Sequence, residues 1–334
     1  MATLGKAFEG KFHDEPAVWL QWGQFEAAVL PGVGANLIAF RDHDRHLTIL
    51  REPAAADMDG FRANPGIHGI PVLFPPNRYE DGKFTFNGVN YQFPVNEEKT
   101  GNHLHGFFHT ARWNVDEINV TASESYASLS ITIDKDHEIH QYLPHEFTIK
   151  LRYSLSELGL AQQVTVHNHG ESMMPCMIAF HTAINAPFAE GSSSDDYSYT
   201  LTIKDRWELN ERMLPTGNYQ PLTEEEAKMS TTGLNPFWES MDNHYTSSTK
   251  NGRNMMELTD HRLGLKLIYD VGTAYKQWMI WNNGAAGGQF FCPEPQLNLV
   301  NAPNSKLPAE EIGLVSLEPG QIWEETSRLY VVKA

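Results

Sequence analysis

The stretch "HEFTIKLRYSL" (145–155) restricts the fold more than any other part of the chain. Phe147, Ile149, Leu151, Tyr153 and Leu155 alternate with Thr148, Lys150, Arg152 and Ser154. Period two predicts a strand with one buried face and one wet face. The turn-like "SELG" and then "LAQQVTVHNH" (160–169) follow, which predicts an antiparallel neighbour. Other strand candidates are 25–30, 35–40, 83–93, 127–133, 199–205, 263–270, 277–281 and 327–332. "FNGVNY" (86–91) sets Asn-Gly between aromatic strand residues, a hairpin signal. "TEEEAKM" (223–229) predicts a short helix, with a capping threonine before three glutamates. "EGSSSDD" (190–196) is a polar loop, too short to separate domains. Many strands, few helices and no break predict one all-β domain over 1–334. At this length it is a large antiparallel β-sandwich whose concave face can seat a small ligand.

The charge balance narrows the ligand. With 42 acidic against 25 basic residues the net charge is -17, which argues against nucleic acid and anionic membrane surfaces as partners. A neutral small molecule suits the chain better. Cys176 and Cys292 sit in apolar stretches and read as buried free thiols, with one disulfide as the alternative. "MATLGKAFEGKFHDEP" lacks an apolar signal region, and no apolar run approaches 18 residues. The expectation is a cytoplasmic protein.

Four segments carry candidate chemistry. "GNHLHGFFHT" (101–110) holds His103, His105 and His109. A His-x-His pair on one strand face is how cupins begin a metal site, but no carboxylate follows until Asp116. Zinc-type Cys/His spacing is missing too, so no metal is expected. "HEIH" (137–140) and "HNH" (167–169) read as surface strand histidines in a chain with 15 of them. As a proton carrier a histidine needs a partner carboxylate. "FFCPEPQLNLVNAPN" (290–304) offers Glu294 between Pro293 and Pro295, which fix the backbone and keep it out of a regular ladder. On local sequence alone, an exposed turn glutamate is the simpler account. His181 ends the apolar "PCMIAFHTAINAPF" (175–188), and Arg78 follows two prolines in "PVLFPPNRYEDGKF" (71–84). The simpler accounts there are a satisfied core histidine and a surface salt bridge.

In this order, "NRYEDGKFTFNGVNY", "NHLHG", "MIAFHTAIN" and "CPEPQ" resemble the aldose 1-epimerase (galactose mutarotase) family. The central "LPHEFTIKLRYSLSELGLAQQVTVHNHG" and "ERMLPTG" are similar as well, so the resemblance covers most of the chain. It implies a β-sandwich with a sugar on its open face. It implies Glu294 as general base at the C1 hydroxyl, His181 as general acid at the ring oxygen and His105 as an assisting group. Asn77, Arg78, Asp242 and Gln277 would bind the sugar. It implies no cofactor and a monomer or homodimer. The chemistry asks for these types: opening a hemiacetal removes a proton from O1 and adds one at the ring oxygen. A glutamate of ordinary pKa near 4.3 is ionised at pH 7, and a nearby carboxylate would raise the histidine's pKa. Residues before Asn77 and the Phe-Phe after His105 depart from the family pattern, which points to a divergent subgroup. Three readings follow: a mutarotase for a free aldohexose, a sugar-binding protein without catalysis, and a metal-dependent cupin-like enzyme. A sugar phosphate as substrate would need Arg45, Arg51, Arg112 and Arg206 to converge.

Overall fold

The computed structural model describes residues 5–285 and 287–334; Met1 to Leu4 of the N-terminal stretch read above lie outside them. The alternation at 147–155 becomes the strand Phe147–Ser156, paired along its whole length with Gly159–Asn168. All five apolar residues of the alternation are buried and Lys150 is exposed. These strands lie inside an eight-stranded antiparallel sheet. Its order is Asn114–Val120, Ser125–Ile133, Phe147–Ser156, Gly159–Asn168, Ile322–Lys333, Leu265–Asp270, Met255–Asp260 and Tyr197–Leu201.

A second sheet runs Pro215–Gln220, Ile203–Leu209, Asp242–Ser247, Gln277–Asn282, Phe290–Gln296, Ala179–Phe180 and Val72–Leu73. A five-stranded meander, residues 5–48, packs against the first sheet, and Ser125 Oγ donates to Gln21 O at 3.0 Å. Trp278, Ile280 and Phe291 of the second sheet share one buried cluster with Leu129, Ile149 and Leu151 of the first. That is the sandwich core. Side chains alternate across a strand, so Met279, Trp281, Cys292 and Glu294 face the opposite side of the second sheet. The candidate site is built there.

Shorter predictions hold as well. Phe86 pairs with Val89 around Asn87 and Gly88, both at positive φ (47° and 80°). The helix is Glu224–Lys228, with Thr223 Oγ1 accepting from Glu226 N at 3.1 Å and the Glu226 carboxylate accepting from Thr223 N at 2.8 Å. Glu226 is fully buried and also accepts from Arg206 at 2.6 Å and the Tyr245 hydroxyl at 2.7 Å. The helix is thereby pinned to the strand that begins at Asp242. Both cysteines are free and buried. Among the described residues no helix is long and apolar enough to cross a membrane.

Two expectations fail. The strand at 199–205 is two strands in different sheets: the chain leaves the first sheet after Leu201 and enters the second at Ile203. Thr202 holds the corner, its N–H on Met255 O at 3.1 Å and its hydroxyl on Asn254 Oδ1 at 2.7 Å. Alternation continues through such a corner, so the pattern does not reveal it. "HEIH" is no strand but a short turn of helix, Glu138–Gln141, where His137 Nδ1 accepts from Ile139 N.

Candidate active site

Glu294 lies in the middle of Phe290–Gln296, opposite Met279. The flanking prolines do not keep it out of the ladder, contrary to the sequence expectation. Leu297 N, of the same parity as Pro293 and Pro295, bonds Ile178 O at 2.9 Å. The two imide nitrogens therefore point to that edge, where ladder pairs occur only at Phe290, Phe291 and Gln296 among the described residues. Missing N–H groups cost nothing in such a gap. The carboxylate is 1% exposed, far from a turn glutamate.

His181 follows the short strand Ala179–Phe180 that borders this gap, with its N–H on Pro71 O at 3.0 Å. Its Nε2 lies 3.1 Å from Glu294 Oε1. His105 comes from the other side. It follows the strand Asn102–Leu104, adopts φ 68°, and donates its N–H to Asn77 O at 3.0 Å. Its ring meets His181 edge-on at 5.3 Å. This turn separates it from His103, which stays buried between Phe93 and Phe107 with Nδ1 on Pro94 O at 2.7 Å. The His-x-His pair therefore shares no face, and the cupin-like arrangement is not formed.

Asn77 also has a positive φ, 58°, and its Oδ1 accepts from Arg78 N at 2.9 Å. The Arg78 guanidinium grips Glu97 through Nε at 2.9 Å and Nη2 at 3.0 Å, and reaches Asp242 at 3.4 Å. Asp242 starts its strand opposite Trp281. Asn77, Arg78, His105, His181, Asp242 and Glu294 thus line one open pocket of about 220 Å³, completed by Ile67, Met279 and Trp281.

Gln277 is the exception and a correction. It is buried outside the pocket lining, and its Oε1 accepts from Trp207 Nε1 at 2.8 Å. Met279, one pleat further, takes the place expected for it. Sequence reasoning also missed Glu97 and Trp281. Trp281 had a signal, since it shares Met279's parity on a predicted strand. Glu97, in the turn-rich "VNEEKTGN", had none. Nor do four arginines converge: Arg45 pairs with Asp42, Arg206 with Glu226, and Arg112 is exposed.

Burial dominates the electrostatics and overturns a further expectation. It pushes the Glu294 carboxyl well above the usual carboxylate range, with Asp242 adding to the rise and Arg78 opposing it. Burial lowers His181 to about 4, and it holds His105 well below the ordinary histidine value, helped by His181 and His109. The unliganded pocket therefore favours a neutral carboxyl against a neutral imidazole, not a standing carboxylate beside an imidazolium. His181 Nδ1 and Glu294 Oε2 find no protein partner among the described residues. Buried polar atoms left in this state favour a ligand that supplies one.

The antiparallel sandwich is of the galactose mutarotase-like class of β proteins. The chain belongs to the aldose 1-epimerase family, whose sequence model matches residues 16–330. A galactose mutarotase-like protein from Clostridium acetobutylicum is 30% identical, with a TM-score of 0.94 over 98% of this chain and 99% of that one. Galactose 1-epimerase from Lactobacillus acidophilus shares the fold at 13% identity, with a TM-score of 0.71 over 99% of each chain. The uncharacterized protein YihR of Escherichia coli is 25% identical over 201 residues, which span 60% of this chain and 59% of that protein.

Proposed function

We propose that the protein is an aldose 1-epimerase that interconverts the α and β anomers of a free aldohexose such as glucose or galactose. The observation that carries this is the 3.1 Å contact between His181 Nε2 and Glu294 Oε1 at the base of the pocket. Mutarotation needs an acid and a base acting at the two oxygens of one carbon, C1, and few other reactions need only that. A pocket that merely bound sugar would gain nothing from burying the pair.

The sugar enters with O1 toward Glu294 and its ring oxygen toward His181. Its hydroxyls give the pair the polar partners that burial withholds, and Arg78 favours the charged carboxylate. The Glu294 carboxyl proton then shifts to His181 across the 3.1 Å contact. Glu294 takes the O1 proton as the C1–O5 bond breaks, and O5 takes the proton from His181. The open aldehyde rotates about C1–C2. Closure runs the same transfers backwards, so no proton is gained or lost and no cofactor is consumed. Asn77, Arg78 and Asp242 hold hydroxyls, and His105 supports the ring oxygen. Trp281 offers an apolar wall for a sugar face.

Polarimetry on freshly dissolved α-D-glucose and α-D-galactose tests this. The wild type should speed relaxation to an unchanged final rotation. Glu294→Gln and His181→Asn should each lose about 10²–10⁴-fold of the acceleration. An undiminished rate in Glu294→Gln would remove the base from the mechanism.

A further inference from the structure

Cys292 is a neighbour of the acid–base pair that the sugar chemistry leaves unused. It lies two residues before Glu294 on the same strand, so both side chains emerge on the same face. One ligand atom each from His181, Cys292 and Glu294 lie within 4.8 Å of one another. All three residues are buried, at 6%, 0% and 1% exposure. His181 Nδ1 and Glu294 Oε2 still lack partners among the described residues. An imidazole, a thiol and a carboxyl are one each of the three donor types that zinc takes. Bonds of the usual zinc lengths set tetrahedral ligand atoms roughly 3.3–3.7 Å apart. The nitrogen–oxygen contact, at 3.1 Å, is close to that spacing already. The sulfur has about an ångström to close.

We propose that His181, Cys292 and Glu294 form a zinc site, and that a bound Zn²⁺ reversibly silences the epimerase. This rests on the reading of His181 and Glu294 as acid and base. On binding, the thiol proton and the carboxyl proton leave to solvent, and the imidazole binds through a neutral nitrogen. A dication with two anions sums to zero, which a buried site tolerates where it would not tolerate a lone charge. The nearby charges permit it. Arg78 is already paired with Glu97 and Asp242. Arg51, which faces the thiol, is held by Ile67 O at 2.9 Å and stacked over Phe290 at 4.0 Å. Three protein ligands leave the fourth position toward the pocket, where the sugar's O1 would sit. The ion thus removes both proton carriers and competes with substrate.

The test uses the full chain, stripped with EDTA and dialysed against ZnCl₂ or CoCl₂. We expect one ion per chain. The Co²⁺ form should show the near-ultraviolet charge-transfer band of a thiolate ligand. Cys292→Ser should lose that band and bind zinc more than about 100-fold more weakly. Cys292→Ala, with circular dichroism on both variants, guards against misfolding. In EDTA both variants should keep wild-type mutarotation, while zinc should raise the apparent KM of the wild type alone. Absence of stoichiometric zinc at micromolar free metal, or equal binding by Cys292→Ser, would overturn the site. Zinc binding in a protein that accelerates no aldose would leave the metal site standing, and would overturn the silencing role with the epimerase reading.

Discussion

Glu97 acts through Arg78. It accepts three hydrogen bonds from the guanidinium and one from the Thr100 hydroxyl, and so fixes the direction of a side chain at the pocket wall. Glu97→Ala should free Arg78 to swing toward Asp242 alone. Steady-state polarimetry should then show KM raised about tenfold with kcat little changed, since a charge-assisted hydrogen bond is worth about 1.5–3 kcal/mol. Gln277 and Met279 make a sharper pair. Gln277→Leu leaves Trp207 Nε1 buried without an acceptor, and should cost about 1–3 kcal/mol in urea unfolding without changing KM. Trp281→Ala should do the reverse, raising KM with a smaller loss of stability. The sequence could not separate these cases. Gln277, Met279 and Trp281 share one parity, and alternation tells the face but not which pleat reaches the pocket. Glu294 and His181 were legible only through the ordered family resemblance, since local sequence favoured a turn glutamate and a core histidine. Glu97 was not, because its role depends on a partner 19 residues away across a turn.

At the level of elements, the site hangs on a turn. His105 and Gly106 both have positive φ, and a Cβ on Gly106 would lie 2.2 Å from Phe74 O. Gly106→Ala should therefore cost about 1–3 kcal/mol through backbone strain and lower kcat by moving His105. Gly88→Ala in the distant hairpin also meets a positive φ but has open space around it. It should cost about 1 kcal/mol and leave kinetics alone. Urea midpoints and polarimetry on the two variants separate strain at the site from strain elsewhere. Strands with clean alternation, such as Phe147–Ser156, were read nearly to the residue. The corner at Thr202 was hidden because apolar residues alternate straight through it. The ladder position of Glu294 was hidden because a proline's lost N–H is harmless only at a gap that tertiary pairing creates.

Across the whole molecule, buried histidines set the acid limit. His145 and His244 are 4% and 3% exposed. Burial, then His140, lowers His145 to about 4; burial, then Arg78 and Arg206, lowers His244 to about 3. The unfolded chain binds a proton at each near pH 6.5. Their stabilisation is complete above that value and is lost as pH falls toward the folded pKa values. Each contributes a slope of up to about 1.4 kcal/mol per pH unit. Glu294 runs the other way, since its raised pKa relieves a cost as pH falls. Two histidines outweigh one carboxyl, so the urea midpoint should be lower at pH 5.5 than at pH 7.5 with an unchanged m-value.

The pocket draws on residues scattered from Asn64 to Glu294, and the exposed turn at Glu190 and Gly191 divides them. His105 and His181 lie before it, Asp242 and Glu294 after it. Each part carries strands of both large sheets, and neither contains both His181 and Glu294. On the proposed function, a chain cut at that turn should give two silent fragments that must find each other to work. Fused to two other proteins, they would turn an encounter between those proteins into a change in optical rotation.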